Sequence, residues 1–179
     1  PQVVQSALQA VGSLNLSGNL VLSLFAPPEP IAAGTTVTLL RGAVRNGEFS
    51  SVVGAGLWTL GYSADGLTLT ATTDIPGLRV LPPNGGQPAV WGDTIVLSAE
   101  ASDPNGISEV QFLANGQVIG TGVQTTPGVF AVAWETGMLP AGNFLIISRV
   151  TNAAGVVVES APYAFTVAAR TGPAATWVN

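Results

Sequence analysis

The chain has 179 residues, a formal net charge of −5, and a composition that is 47% hydrophobic but only 8% charged. It contains no Cys, His or Lys, which excludes disulfides, thiolate chemistry, a Ser-His-Asp triad and Lys-derived isopeptide cross-links. Five scattered Arg in an acidic chain argue against nucleic-acid binding, which needs a concentrated basic face. The uncharged residues 1–28 are interrupted by Gln, Ser, Asn and Gly, so no membrane span is predicted.

Residues 1–75 are predicted to form a small β-domain with an N-terminal arm. Residues 1–12 carry apolar side chains at helical spacing. They could form either a short helix or an extended arm. Alternating residues then predict strands within 14–24, 35–40, 47–49, 57–62 and 67–70. The Pro-rich run 27–30 interrupts them. This order favours a β-meander of about five strands.

The same segment has a familiar order of motifs: Ala33-Gly34-Thr35, Leu39-Leu40, Gly47-Glu48-Phe49, Tyr62 and Leu67-Thr68-Leu69-Thr70. Over residues 13–72 it resembles the C-terminal end of β-helical, autotransporter-type bacterial surface proteins. The resemblance implies a cap or final turn of a β-solenoid rather than an active site. A cap needs a stack to close, and no repeat array precedes this one. A β-meander, a β-solenoid cap and a small independent sandwich therefore all remain open.

Residues 76–169 are predicted to form a second domain, an Ig-like β-sandwich, after the breaker-rich linker 73–77. The alternation in 94–101 places Ile95, Leu97 and Ala99 on one face. Asn115-Gly116 predicts a type I′ turn joining strands 107–114 and 117–121, because both turn residues must tolerate positive φ. About seven short strands in ~90 residues is typical of this sandwich. Residues 170–179 are predicted to be a tail or linker.

Three motifs identify the kind of sandwich: Ser102-Asp103-Pro104-Asn105-Gly106, Val110-Gln111-Phe112, and Asn115 to Gly120. Over residues 77–168 they resemble the bacterial Ig-like modules of secreted and surface proteins. The resemblance implies an extracellular or cell-surface location. It also implies a structural or adhesive role as a spacer, adhesin stalk or fibre subunit. No catalytic site is predicted, because Glu100 and Glu109 are expected on solvated strand faces.

The Asp-rich turn gives the one candidate for a cofactor, a Ca²⁺ ion held by Asp103 and Asn105. A calcium loop would place a bidentate Glu at its twelfth position, and none follows here. The second turn of this type carries Asn152 in place of Asp. The preferred interpretation is an Asx-turn, in which the Asp103 side chain accepts from backbone N–H groups.

The predicted partners are flanking domains or copies of the chain itself. Low charge leaves few of the edge charges that discourage strand addition. The candidate assembly residues are apolar: Val3, Val4, Leu8, Phe144, Ile146 and Trp177. The alternative function is an accessory carbohydrate-binding region of a secreted enzyme, which would present exposed aromatic residues to a glycan. Trp58 and Trp134 are expected in the core, whereas Trp91 is expected to cap the sandwich or contact the first domain.

Overall fold

A computed structural model describes residues 8–170 of the chain. These residues form β-strands joined by turns, with two short 3-10 helices at Pro83–Gly86 and Thr136–Met138. The strands of the first part are β1 (Leu8–Gln9), β2 (Ser13–Asn15), β3 (Asn19–Val21), β4 (Thr36–Arg41), β5 (Val44–Asn46), β6 (Ser51–Val53), β7 (Trp58–Tyr62) and β8 (Gly66–Ala71). Those of the second part are β9 (Gly77–Val80), β10 (Ala89–Val90), β11 (Thr94–Ser102), β12 (Ile107–Ala114), β13 (Gln117–Thr121), β14 (Val123–Thr126), β15 (Val129–Glu135), β16 (Gly142–Asn152), β17 (Val157–Glu159) and β18 (Tyr163–Ala168).

The first six strands form two stacked coils. β1 pairs in parallel with β4, β2 with β5, and β3 with β6. In the first two of these pairs, Leu8 lies beside Leu40 and Ser13 lies beside Val44, so the spacing along the chain is nearly constant. We call the turn of chain carrying β1–β3 the first coil and that carrying β4–β6 the second coil. Consecutive strands among these six do not pair with each other, so they do not form the meander that was one of the alternatives left open. Each of β1–β3 pairs with the strand one coil later.

A β-hairpin closes one end of the coils. β8 pairs antiparallel with β4 on one side and with β7 on the other. The side chains of Leu67 and Leu69 on β8 are 0% and 3% exposed. The hairpin therefore extends the sheet beyond β4 and supplies the best-buried side chains of this part of the molecule, while β5 and β6 pair with β2 and β3 only.

Residues 77–168 form a two-layer β-sandwich, as predicted. One sheet has the order β14-β15-β11-β9, and the other has the order β10-β18-β16-β12-β13, with β17 added to β16. Alternation along β11 turns Ile95, Leu97 and Ala99 into the core. Trp134 packs edge-on against Phe144 with ring centroids 5.0 Å apart. Burying each large side chain stabilises the fold by about 1.5–3 kcal/mol.

The turn between β12 and β13 has the predicted residues and strand limits. Asn115 has φ 49° and Gly116 has φ 80°. Positive φ at both positions is what a type I′ turn requires, and Asn-Gly meets that requirement with little strain. The Asn115 side chain also accepts a hydrogen bond from the Leu145 N–H at 2.8 Å, which links the turn to β16.

Candidate functional site

The Asp-rich turn is held by its own hydrogen bonds. Asp103 Oδ1 accepts from the Asn105 N–H at 2.8 Å, which is the geometry of an Asx-turn. Asp103 Oδ2 accepts from Asn152 Nδ2 at 3.1 Å. Asn152, which replaces Asp in the second turn of this type, thus donates a hydrogen bond to Asp103 in the first turn. Both oxygens of the candidate Ca²⁺ ligand already have partners within the protein.

The other candidate ligand, Asn105, faces the first part of the chain. Its Nδ2 donates to Asp74 Oδ2 at 3.0 Å, while Asp74 Oδ1 accepts from the Ala33 N–H at 2.9 Å. These two hydrogen bonds hold the pKa of Asp74 below its ordinary value of 3.8, and the bond from the Ala33 N–H has the larger effect. Within residues 8–170 no three acidic side chains cluster closely enough to hold a metal ion. Ca²⁺ binding at Asp103 and Asn105 stays a prediction.

The bonds of Asp74 belong to a larger joint between the coils and the sandwich. The Ala26 N–H donates to Glu159 O, and the Leu78 N–H donates to Pro27 O, both at 2.7 Å. Ile31 and Ile75 exchange two backbone hydrogen bonds of 2.9 and 2.8 Å. The connection between the two coils therefore lies against strands of the sandwich.

Gly77 marks the tightest packing in this joint. A Cβ atom at this position would lie 2.8 Å from Glu29 C and from Pro30 N. Gly77 and its two preceding neighbours, Ile75 and Pro76, are buried. The segment predicted as a linker is thus fixed in place, because only a residue without a side chain lets the two parts of the backbone approach so closely.

An apolar cleft of about 360 Å³ opens beside this joint. Leu24 and Phe25 from the first part line it, together with Trp58 from the hairpin and Val157 from β17. The cleft is where the coils and sandwich meet without filling all the space between them.

The candidate assembly residues fall into three groups. Leu8 lies on β1 at the open end of the coils and is 73% exposed. Phe144 and Ile146 are 6% and 0% exposed, because their positions on β16 point into the core of the sandwich. Leu145, which lies between them on β16, is 50% exposed. Val3, Val4 and Trp177 lie outside the described residues.

The exposed aromatic residues among residues 8–170 are Trp91, Phe25 and Tyr163. Trp134 is buried in the core, as predicted. Trp91 is 41% exposed, and its Nε1 donates to Leu139 O at 2.9 Å, beside Arg170. Phe25 and Tyr163, also exposed, line two other depressions. Trp58, expected in the core, is half-buried and lines the same cleft as Phe25. A glycan platform needs several neighbouring aromatic faces, and Trp91, Phe25 and Tyr163 line three separate depressions.

Sequence reasoning missed three side chains that hold the coils together. Asn46 Nδ2 donates to Asn15 Oδ1 at 3.1 Å, one coil apart. Arg45 reaches the hairpin, where it donates to Ser63 O at 2.8 Å and lies 4.9 Å from the centre of the Tyr62 ring. Matching the sequence to itself with an offset of one coil would have aligned Asn15 with Asn46. No comparable pattern marks the Arg.

Comparison with known families locates the sandwich. Residues 76–146 match the sequence model of a family described as "Bacterial Ig domain". The match begins next to β9 and ends within β16, and it does not include the coils. The match supports an Ig-like module in the second part of the chain.

Two solved structures resemble the chain at low levels of similarity. The fibronectin(III)-like modules of Clostridium thermocellum CbhA share 16% identity over 52% of this chain and 100% of theirs, with a TM-score of 0.41. CopC from Methylosinus trichosporium OB3b shares 16% identity over 54% of this chain and 98% of its own, with a TM-score of 0.34. No curated protein matches the sequence. Among residues 8–170 there is no helix long and apolar enough to cross a membrane.

Proposed function

We propose that this chain is a non-catalytic structural module of a bacterial secreted or cell-surface protein. In this role it serves as a spacer, an adhesin stalk or a fibre subunit. The observation that carries the proposal is the joint, where backbone hydrogen bonds and a buried glycine fix the coils to the sandwich. A spacer must hold the parts on either side in a set orientation, and a joint of this kind resists bending.

The Ig-like match supports the extracellular part of the proposal. Residues 76–146 match a family described as "Bacterial Ig domain", and the motifs of this segment resemble the Ig-like modules of bacterial secreted and surface proteins. The domain boundary near residue 75 belongs to the same proposal. The buried hydrophobic core of the sandwich is built from residues 78–167, and among the described residues Ala26 is the one partly buried hydrophobic residue from the first part that packs against it.

Location can be tested in the bacterium that encodes the chain. Antibodies against the purified chain should label intact cells, or should detect the protein in the culture medium. A cytoplasmic protein probed in the same way serves as the control for cell breakage. Labelling that appears only after the cells are permeabilised would overturn the proposal.

Glycan binding is the alternative function, and it can be tested on the same purified chain. Trp91, Phe25 and Tyr163 line separate depressions, which disfavours it. Trp91 and Arg170 line a depression of about 560 Å³. A glycan array should show no signal above background. Binding that is lost in Trp91→Ala but kept in Tyr163→Ala would favour the carbohydrate-binding function instead.

A further inference from the structure

The basic side chains of this protein are few, and each of them is ion-paired. The chain has no Lys, so an endoprotease that cuts after a basic residue has five bonds to choose from, those following Arg41, Arg45, Arg79, Arg149 and Arg170. Their carboxylate partners are, in the same order, Asp65, Glu48, Glu100, Glu159 and Asp93. Exposed ion pairs contribute little free energy, so the backbone around each Arg decides whether the bond after it can be cut.

Four of these Arg lie on strands that are hydrogen-bonded to their neighbours. Arg41 on β4 has a paired strand on each side, and so has Arg149 on β16. Arg45 on β5 pairs with Leu14, and its N–H donates to Ala64 O at 2.8 Å. A protease holds its substrate as a separate extended segment, so a bond within a sheet can be cut only after the strand has left its neighbours.

The fifth, Arg170, lies beyond the last strand. β18 ends at Ala168, whose C=O accepts from the Trp91 N–H at 2.8 Å. The backbone of Arg170 makes no hydrogen bond to another described residue. Its side chain is held by two exposed contacts, since Nε donates to Trp91 O at 3.2 Å and Nη2 lies 3.6 Å from Asp93 Oδ1. Separating these contacts costs far less free energy than opening a sheet.

Side-chain exposure does not distinguish the five bonds. The side chains of Arg79 and Arg170 are 57% and 60% exposed, and both are ion-paired. Their backbones differ, because Arg79 pairs with Glu100 in the ladder between β9 and β11, and its neighbour Leu78 is buried in the core. Arg79 is therefore a matched reference for Arg170, with an equally accessible guanidinium on a backbone that is held in place.

We propose that Arg170–Thr171 is the one bond of the folded chain that a protease specific for basic residues cleaves. In this hydrolysis water adds to the Arg170 carbonyl carbon and the C–N bond breaks, which leaves a carboxylate on Arg170 and an ammonium group on Thr171. The cut separates residues 171–179 from residues 1–170, which stay in one piece. The inference goes beyond the structural role proposed above and does not depend on cellular location, because it follows from how the backbone is held.

Limited digestion of the full chain with trypsin, followed by intact-mass spectrometry, tests the proposal. The first product should be residues 1–170. Cleavage at the other four bonds should be at least about a hundredfold slower, because it follows the small population of molecules in which the strand has opened. In a sample unfolded in urea all five bonds should be cut, which shows that each Arg is a competent substrate once its backbone is free.

Two substitutions sharpen the test. Arg170→Gln should leave the folded chain intact over the same digestion, whereas the matched control Arg79→Gln should still be cut after Arg170 at the original rate. Thermal melting of both variants checks that they remain folded. An early product ending at Arg41, Arg45, Arg79 or Arg149 would overturn the proposal. So would a folded chain that resists trypsin at Arg170 while its unfolded form is cut there.

Discussion

The sandwich and the coils are made from the same low-charge composition, yet they bury it in different ways. The sandwich closes two sheets over a core that includes Phe112, Ile146 and Trp134. In the described part of the coils, the fully buried leucines lie only on the closing hairpin, at Leu67 and Leu69. A sandwich supplies both sides of its core from one domain, whereas a coil obtains its burial from the neighbours above and below it. The sandwich therefore supplies its own core, whereas in the coils only β4 has a partner strand on both sides.

The largest expected effect is in the sandwich core. Phe112→Ala removes a fully buried ring and should lower the free energy of unfolding by about 3–5 kcal/mol. Leu20→Ala in the first coil removes a half-buried side chain and should cost roughly 1 kcal/mol. Urea unfolding followed by tryptophan fluorescence measures both. Equal losses would contradict the contrast between a closed core and an open stack.

The second-largest effect is expected at the joint between the coils and the sandwich. Gly77→Ala forces a Cβ atom to within 2.8 Å of the backbone at Glu29 and Pro30, and should destabilise the protein by about 1–3 kcal/mol. Small-angle scattering should show a larger radius of gyration if the coils are displaced from the sandwich. Gly12→Ala is the matched control, because its Cβ would meet nothing within 4 Å and its φ is not positive. An unchanged profile for Gly77→Ala would mean that the joint adapts and does not fix the two parts.

Within the sandwich, the Asn115-Gly116 turn tests local conformation rather than burial. Gly116→Val places a β-branched residue at φ 80° and should cost about 1 kcal/mol or more in thermal or urea unfolding. Gly116→Asn tolerates positive φ and should cost less. The two substitutions would have the same effect if the turn could rearrange to another type.

A smaller effect is expected from pH at the joint. The pKa of Asp74 is lower in the folded chain than in the unfolded chain, so its contribution to stability is present above pH 3.8 and is lost as the pH falls through the folded pKa. The melting temperature should fall more steeply below pH 4 in the original chain than in Asp74→Asn. Parallel curves for the two proteins would show that this carboxylate does not stabilise the joint.

The smallest expected effect is that of Ca²⁺. With both Asp103 oxygens hydrogen-bonded inside the protein, millimolar Ca²⁺ should leave the melting temperature unchanged. An ion that binds only the native state must raise it by mass action. A rise of several degrees that disappears in Asp103→Ala would establish a calcium site at the turn.

Local patterns in the sequence determined the all-β sandwich and its details. Alternation along β11 gave the inward face of Ile95, Leu97 and Ala99, because side chains of a strand point to opposite sides in turn. The Asn115-Gly116 turn followed from the φ values that its two residues tolerate. The Asx-turn at Asp103 is local in the same sense, since its bond joins Asp103 to nearby Asn105.

Tertiary structure alone decided which strands pair in the coils and how the two parts meet. The parallel partners Leu8 and Leu40 lie a full coil apart in the chain, and nothing in either short strand specifies a neighbour at that distance. Phe144 and Ile146 are apolar and were therefore predicted to take part in assembly, yet packing buries both in the core and leaves Leu145 exposed. The linker at 73–77 contains residues that break strands, but its fixed position depends on Glu29 and Pro30, which a local pattern cannot bring beside it. Alternation and turn chemistry act between near neighbours in the chain, whereas pairing and burial depend on residues that meet only after folding.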